Sequence, residues 1–118
     1  MESRTNVDQR LAESFRQLVL KIPIEKITIK DITDGAGVIR PTFYNHFQDK
    51  YDLLEWIVKK EVLEPLTATL QRGHLEDGLV LIFANALKMK EFCIRAAKME
   101  GQNSFESIVR NCIREMLL

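Results

Sequence analysis

Cysteine and histidine are scarce, at two each in 118 residues. Cys93 and Cys112 stand 19 positions apart with no CxxC, and His46 and His74 lie far from both. No metal-ligand spacing results, so no metal is expected, and the cysteines read as two small buried apolar residues rather than a redox pair. Five glycines and three prolines are too few for a turn-rich all-β design or a long disordered linker. No apolar run reaches the roughly 18 residues of a membrane span. Met1-Glu2-Ser3-Arg4 has no apolar block behind it, so it is not a signal peptide, and a cytoplasmic location with no membrane partner is expected. Excess charge is missing too: Lys+Arg and Asp+Glu both number 17. Residues 1–60 carry 10 basic and 9 acidic side chains, and residues 61–118 carry 7 and 8. A nucleic-acid binder usually shows a basic excess, so a polyanion surface here has to be built locally.

A catalytic constellation is also lacking. No nucleophile stands near a base at a recognisable spacing, no Gly-rich phosphate loop is present, and no carboxylate pair has a reason to be perturbed. The chain does not read as an enzyme, and no cofactor is expected.

What is present is helical spacing. Val7, Leu11, Phe15, Leu18, Val19 and Ile22 share one face of a first helix, with Thr5-Asn6-Val7-Asp8 as a capping-box-like start and Pro23 as a stop. Thr28-Ile29-Lys30-Asp31 opens a second helix that turns Ile29, Ile32 and Ala36 inward and ends at Gly35-Ala36-Gly37. Asp49-Lys50-Tyr51-Asp52 opens a helix over 50–71 that Pro65 kinks or ends. Residues 72–78 read as a loop. Residues 79–89, LVLIFANALKM, are apolar on all sides and predict a buried helix. A short helix follows over 91–99. Asn103-Ser104-Phe105-Glu106 then caps a last helix with Phe105, Ile108, Val109, Cys112, Ile113 and Met116 on one face. That helix reaches Leu118 without a stop signal, which predicts that further residues or a second subunit continue the bundle. The expected fold is all-α, with seven helices and no strands. A three-helix unit over 1–49 is joined by a long helix to a C-terminal bundle over 50–118, incomplete in this chain.

The stretch GAGVIRPTFYNHFQDK, Gly35 to Lys50, carries the chemistry. A glycine at 37 can adopt the left-handed conformation that ends one helix, Val38 plugs the core between the two helices, and Pro41 suits the first turn of the next. This is the layout of a helix-turn-helix. Phe43 and Phe47, four apart, face the core. Arg40, Thr42, Tyr44, Asn45 and His46 cover the rest of the circumference with groups that can hydrogen-bond base edges and phosphates. Lys50, at the next helix start, can meet a phosphate.

Residues 5–56 resemble the DNA-binding domain of TetR-type transcriptional regulators. The resemblance rests on Phe15, Thr28-Ile29-Lys30-Asp31-Ile32, Ala36-Gly37-Val38, and Thr42-Phe43-Tyr44-Asn45-His46-Phe47 followed by Lys50 and Leu53-Leu54. It implies phosphate contacts from Lys30, Thr42, Tyr44 and Lys50, and groove-facing positions at Arg40, Pro41, Asn45 and His46. Ile39 departs from it, standing where many members place a small polar cap, which predicts a looser start to the reading helix. The run Gly101-Gln102-Asn103-Ser104-Phe105 resembles a subgroup that includes regulators of dihydroxyacetone-kinase operons. The resemblance further implies a double-stranded DNA operator, a ligand-responsive repressor, a homodimer built by C-terminal helices, and a small-molecule effector. The pocket it implies draws on Trp56, Phe83, Asn85, Leu87, Phe92, Cys93, Phe105 and Val109, mostly apolar walls that favour a largely apolar effector. The competing reading is a module of the same shape that acts through a protein partner, for example as a co-activator.

Overall fold

The computed structural model describes residues 4–73, 76–77, 79–80, 84, 87, 90–98 and 104–117. Every regular element among them is helical. In chain order these are α1 (Arg4–Val19), a 3-10 turn (Ile24–Lys26), α2 (Ile29–Ala36), α3 (Arg40–His46), α4 (Lys50–Val58), a π turn (Lys59–Leu63), α5 (Glu64–Gln71), α6 (Lys90–Ala96) and α7 (Phe105–Leu117). The chain forms two compact units, Met1–Leu54 and Glu55–Leu118.

The first unit closes on Leu11, Ala12, Phe15, Val19, Ile24, Ile27, Ile32, Ala36, Phe43, Phe47, Leu53 and Leu54, all buried. Polar ties fix how α1 meets α2. Ser14 Oγ donates to the Ile32 carbonyl at 2.8 Å, and Arg10 Nη2 to the Ala36 carbonyl at 2.6 Å. The approach is close enough that a Cβ added at Gly35 would stand 2.3 Å from Ser14 Oγ. Gly35 is therefore a packing glycine inside α2, not the stop signal.

The stop is Gly37, at φ 72°. Its N–H bonds to the Asp34 carbonyl at 3.4 Å and the Val38 N–H to the Thr33 carbonyl at 3.1 Å, a Schellman closure that only a left-handed residue completes without strain. The α2 start is a full capping box: Thr28 Oγ1 accepts from Asp31 N at 3.1 Å, and Asp31 Oδ2 accepts from Thr28 N at 3.1 Å.

Three expectations change. Arg4 and Thr5 already lie within α1, so Thr5 does not cap it. The cap of α7 is Ser104, whose Oγ accepts from Ser107 N at 3.2 Å, so the box sits one residue later than expected. Pro65 neither ends nor breaks the helix. It sits at the second position of α5 directly after the π turn, where Glu64 N bonds five residues back to the Lys59 carbonyl. Proline has no N–H for the ordinary bond four residues back, and its ring crowds that carbonyl. The wider spiral accommodates both.

In the second unit, Leu63, Phe92, Ala96, Ile108 and Cys112 are buried. The segment 79–89 does not follow its expected burial where it is described, since Leu79, Val80 and Leu87 are exposed. Phe83 and Asn85 lie outside the described residues.

Candidate nucleic-acid interface

Phe43 and Phe47 pin α3 to the core of the first unit, their ring centroids 5.8 Å apart. With that side fixed, the rest of the seven-residue helix is presented outward. Arg40, Pro41, Tyr44 and Asn45 are exposed and Thr42 is half-buried. The Tyr44 ring stands edge-on to Phe43 at 5.5 Å, which holds the ring while leaving the residue 53% exposed. These side chains share one short rigid element, the arrangement that direct readout of a major groove requires.

Ile39 is the N-cap and makes no side-chain cap bond. The helix tolerates this because few donors are left to satisfy. Pro41 has no N–H, and Thr42 N and Phe43 N both reach the Ile39 carbonyl, at 3.1 and 3.4 Å. The expected polar group is replaced by an isoleucine that is 67% exposed.

Two expected readers also have partners within the first unit. His46 Nδ1 lies 2.6 Å from Asp8 Oδ1, and the two side chains are only 13% and 14% exposed. His46 thus ties the last turn of α3 to α1 and does not stand free on the reading face. Lys50 Nζ donates to the carbonyls of Glu25, at 3.1 Å, and Ile27, at 2.9 Å, fastening the start of α4 to the 3-10 turn. Burial pushes its pKa down, against the raising effect of Glu25 and Asp49. Lys30 fits its expected place better. It is exposed on α2 and paired with Asp34 at 2.8 Å, whose hydrogen bond and charge raise its pKa. That pair is open to water and weak, so a phosphate can take the place of Asp34.

Among the described residues, the side chains expected to line one effector pocket fall into separate hollows or none. Trp56 lines a hollow of about 700 Å³ together with Leu63, Thr67, Cys112 and a polar rim that includes Lys59 and Glu115. Phe105 and Val109 line a different hollow, of about 410 Å³, with Ile113. Phe92 is buried, Cys93 half-buried and Leu87 exposed. Burial pushes the Cys112 thiol up to about 11, so it is not a reactive thiolate. The residues that sequence reasoning missed are Asp8, Arg10 and Ser14. The glycine pair at 35 and 37 was the available signal for the last two, because a helix built that way invites close approach.

The sequence model of the family described as bacterial regulatory proteins, tetR family, matches residues 16–57. The chain is 35% identical over 72 residues to the HTH-type dhaKLM operon transcriptional activator DhaS of Lactococcus lactis subsp. lactis (strain IL1403), covering 61% of this chain and 38% of that protein. It is 31% identical over 77 residues to YxbF, an uncharacterized HTH-type transcriptional regulator of Bacillus subtilis (strain 168), covering 56% of this chain and 20% of that protein. The chain thus matches well under half the length of either relative. The matched segment takes in the last turn of α1, the capping box, the glycine turn and the whole of α3, the same parts that present Arg40, Tyr44 and Asn45 outward. Motifs, helix-turn-helix geometry and relatives agree that residues 16–57 are similar to the helix-turn-helix region of the TetR family of bacterial regulatory proteins.

Proposed function

We propose that the chain is the DNA-binding part of a cytoplasmic transcriptional regulator that acts as a two-fold dimer and responds to a small molecule. The observation that carries the DNA reading is α3 itself: aromatics buried on one side and Arg40, Tyr44 and Asn45 exposed on the other. Arg40 and Asn45 face base edges, Tyr44, Thr42 and Lys30 hold phosphates, and Lys50 adds its remaining N–H from the start of α4.

Dimerisation draws support from α7. Ile108 and Cys112 are buried, while Phe105, Val109 and Ile113 form a second apolar stripe that is half-buried to exposed. One helix-turn-helix reads only a few base pairs, and a dimer places two of them about one DNA turn apart, roughly 34–36 Å. The hollow beside Trp56 supports an effector site, and its charged rim favours an effector with polar groups over a wholly apolar one. The Lactococcus relative is named as an activator, so activation is a natural alternative to the repression expected from the sequence; a reporter gene with and without the protein separates them.

The test is binding of the full chain to duplex DNA from upstream of its own gene at two salt concentrations. Phosphate contacts release counterions, so affinity falls as salt rises. Tyr44→Phe removes one hydroxyl and is expected to weaken operator and scrambled duplexes alike, by about 1.5–3 kcal/mol per half-site. The zero charge balance favours the second reading, a partner-binding module. Salt-independent binding, or none, supports that module and removes the DNA reading.

A further inference from the structure

Ile39 has no evident task in the fold. It occupies the N-cap of α3, where a serine, threonine, asparagine or aspartate side chain would accept the Thr42 N–H, and it makes no such bond. It is also not core: 67% of it is exposed, while Phe43 and Phe47 of the same helix are buried. An isolated apolar residue on a surface needs no explanation by itself. This one stands immediately before Arg40 and Pro41, both exposed, at the end of the helix that enters the major groove first. Its backbone is extended, at φ −95° and ψ 160°, so the residue projects ahead of the first helical turn instead of lying along it.

Resting on the DNA-binding reading, we infer that Ile39 is a specificity residue that reads the C5-methyl group of a thymine in the major groove. The only apolar feature that a base pair shows there is that methyl group. A branched aliphatic side chain cannot recognise the donors and acceptors of the other base edges, and placing it against them desolvates polar groups without replacing their bonds. Against thymine both partners bury apolar surface. The operator therefore carries a thymine in each half-site at the position facing the start of α3. Arg40 and Asn45 supply the neighbouring hydrogen-bonded contacts.

The experiment uses the full chain and duplexes selected by it from a random pool. In the selected duplex each thymine is replaced in turn by deoxyuridine, which removes the methyl and keeps every hydrogen-bonding group. One position per half-site is expected to lower affinity by about three- to fivefold, the worth of roughly one buried methyl group. The same replacement is expected to have no effect on binding by Ile39→Ser or Ile39→Ala. Ile39→Ser also supplies the missing cap, so it keeps a melting temperature at or above that of the unsubstituted chain while losing the thymine preference. If selected duplexes bind but no deoxyuridine position couples to residue 39, the thymine assignment falls and DNA binding stands. If no duplex is selected at all, both fall together.

Discussion

In the first unit, the polar side chains that hold the fold reach far along the sequence. Arg10 and Ser14 of α1 donate to carbonyls of α2, Lys50 donates to two carbonyls 23 and 25 positions earlier, and His46 meets Asp8 across 38 positions. In the second unit, Lys60–Glu64, Arg95–Glu91 and Arg110–Glu106 are pairs four apart on exposed helix faces, and Lys59 adds a reach to Glu115. The difference is energetic. A side chain bonded to a partly buried carbonyl leaves an unsatisfied acceptor when it is removed, at about 1–3 kcal/mol. An exposed pair four apart is worth only about 0.3–0.5 kcal/mol, because water screens it and two flexible chains must be held. The unit that presents the reading helix is therefore fixed by long-range polar contacts. The polar contacts named in the second unit mostly reinforce single helices.

The strongest way to break this contrast is at the α1–α2 crossing. Gly35→Ala puts a methyl 2.3 Å from Ser14 Oγ, so the helices must part or the Ser14–Ile32 bond must go. The expected loss is about 2–4 kcal/mol in denaturant unfolding. Ser14→Ala removes the obstructing oxygen, since Ser14 Cβ is at an ordinary 3.4 Å from the added atom. Gly35→Ala together with Ser14→Ala should then cost much less than the sum of the two. Simple additivity would show that the contact is not what holds the helices at this distance.

A smaller effect is expected from Asp8→Ala. It leaves a largely buried His46 without its partner and frees the last turn of α3, at about 1–3 kcal/mol. Operator affinity should fall as well, although Asp8 is an acid on α1 and its removal makes the unit more basic. A rise in affinity instead would mean that charge outweighs positioning here, and that the tie between α3 and α1 is not needed for reading.

These two sites also mark where sequence reasoning stops. The Thr28 box, the Phe43–Phe47 pair and the left-handed Gly37 were legible, because each is set by residues within five positions of one another. The outward placement of Arg40 and Tyr44 followed from the same pair. The partners of His46 and Lys50 were not legible, because spacing gives no hint of Asp8, or of carbonyls more than 20 residues away. The segment 79–89 misled for a related reason. Apolarity on every side states what a helix can bury, not what covers it, and Leu79, Val80 and Leu87 remain exposed. Pro65 was recognised as a disturbance, but the choice between a stop, a kink and a π turn depends on room around the Glu61 carbonyl that a linear pattern does not contain.

Lys50 tests whether the long-range ties matter as much at alkaline pH. Lys50→Met keeps the apolar stem and deletes the donors to the Glu25 and Ile27 carbonyls, with an expected loss of about 1–2 kcal/mol near neutrality. Lys50→Arg should recover part of it. A variant as stable as the original would show that water replaces the ammonium there without cost, and would return Lys50 to the DNA surface alone.

The smallest expected effect separates the units by the sign of a pH dependence. Burial lowers the Lys50 pKa, whereas the hydrogen bond to Glu115, with Glu55 assisting, raises that of Lys59. A group whose folded pKa is raised contributes stability that is fully present below its unfolded value and is lost as pH rises through the folded value. Lys59 should therefore stabilise at neutral pH and fade as the solution passes above the ordinary lysine range. Lys50 runs the other way. Its proton leaves the folded state more readily than the unfolded chain, so its ionisation opposes folding at neutral pH and that opposition lifts as pH approaches the ordinary value of 10.5. The neutral amine still has two N–H groups for its two carbonyl partners. Unfolding free energies of Lys50→Met and Lys59→Met, each referred to the unsubstituted chain, should accordingly diverge between neutral pH and about pH 11. The loss in Lys59→Met starts at a few tenths of a kcal/mol, as for an exposed pair, and shrinks with pH. The loss in Lys50→Met grows. Parallel pH profiles would mean that both lysines sense the same solvent-screened surroundings, and the distinction between a tied unit and a locally paired one would not extend to their charges.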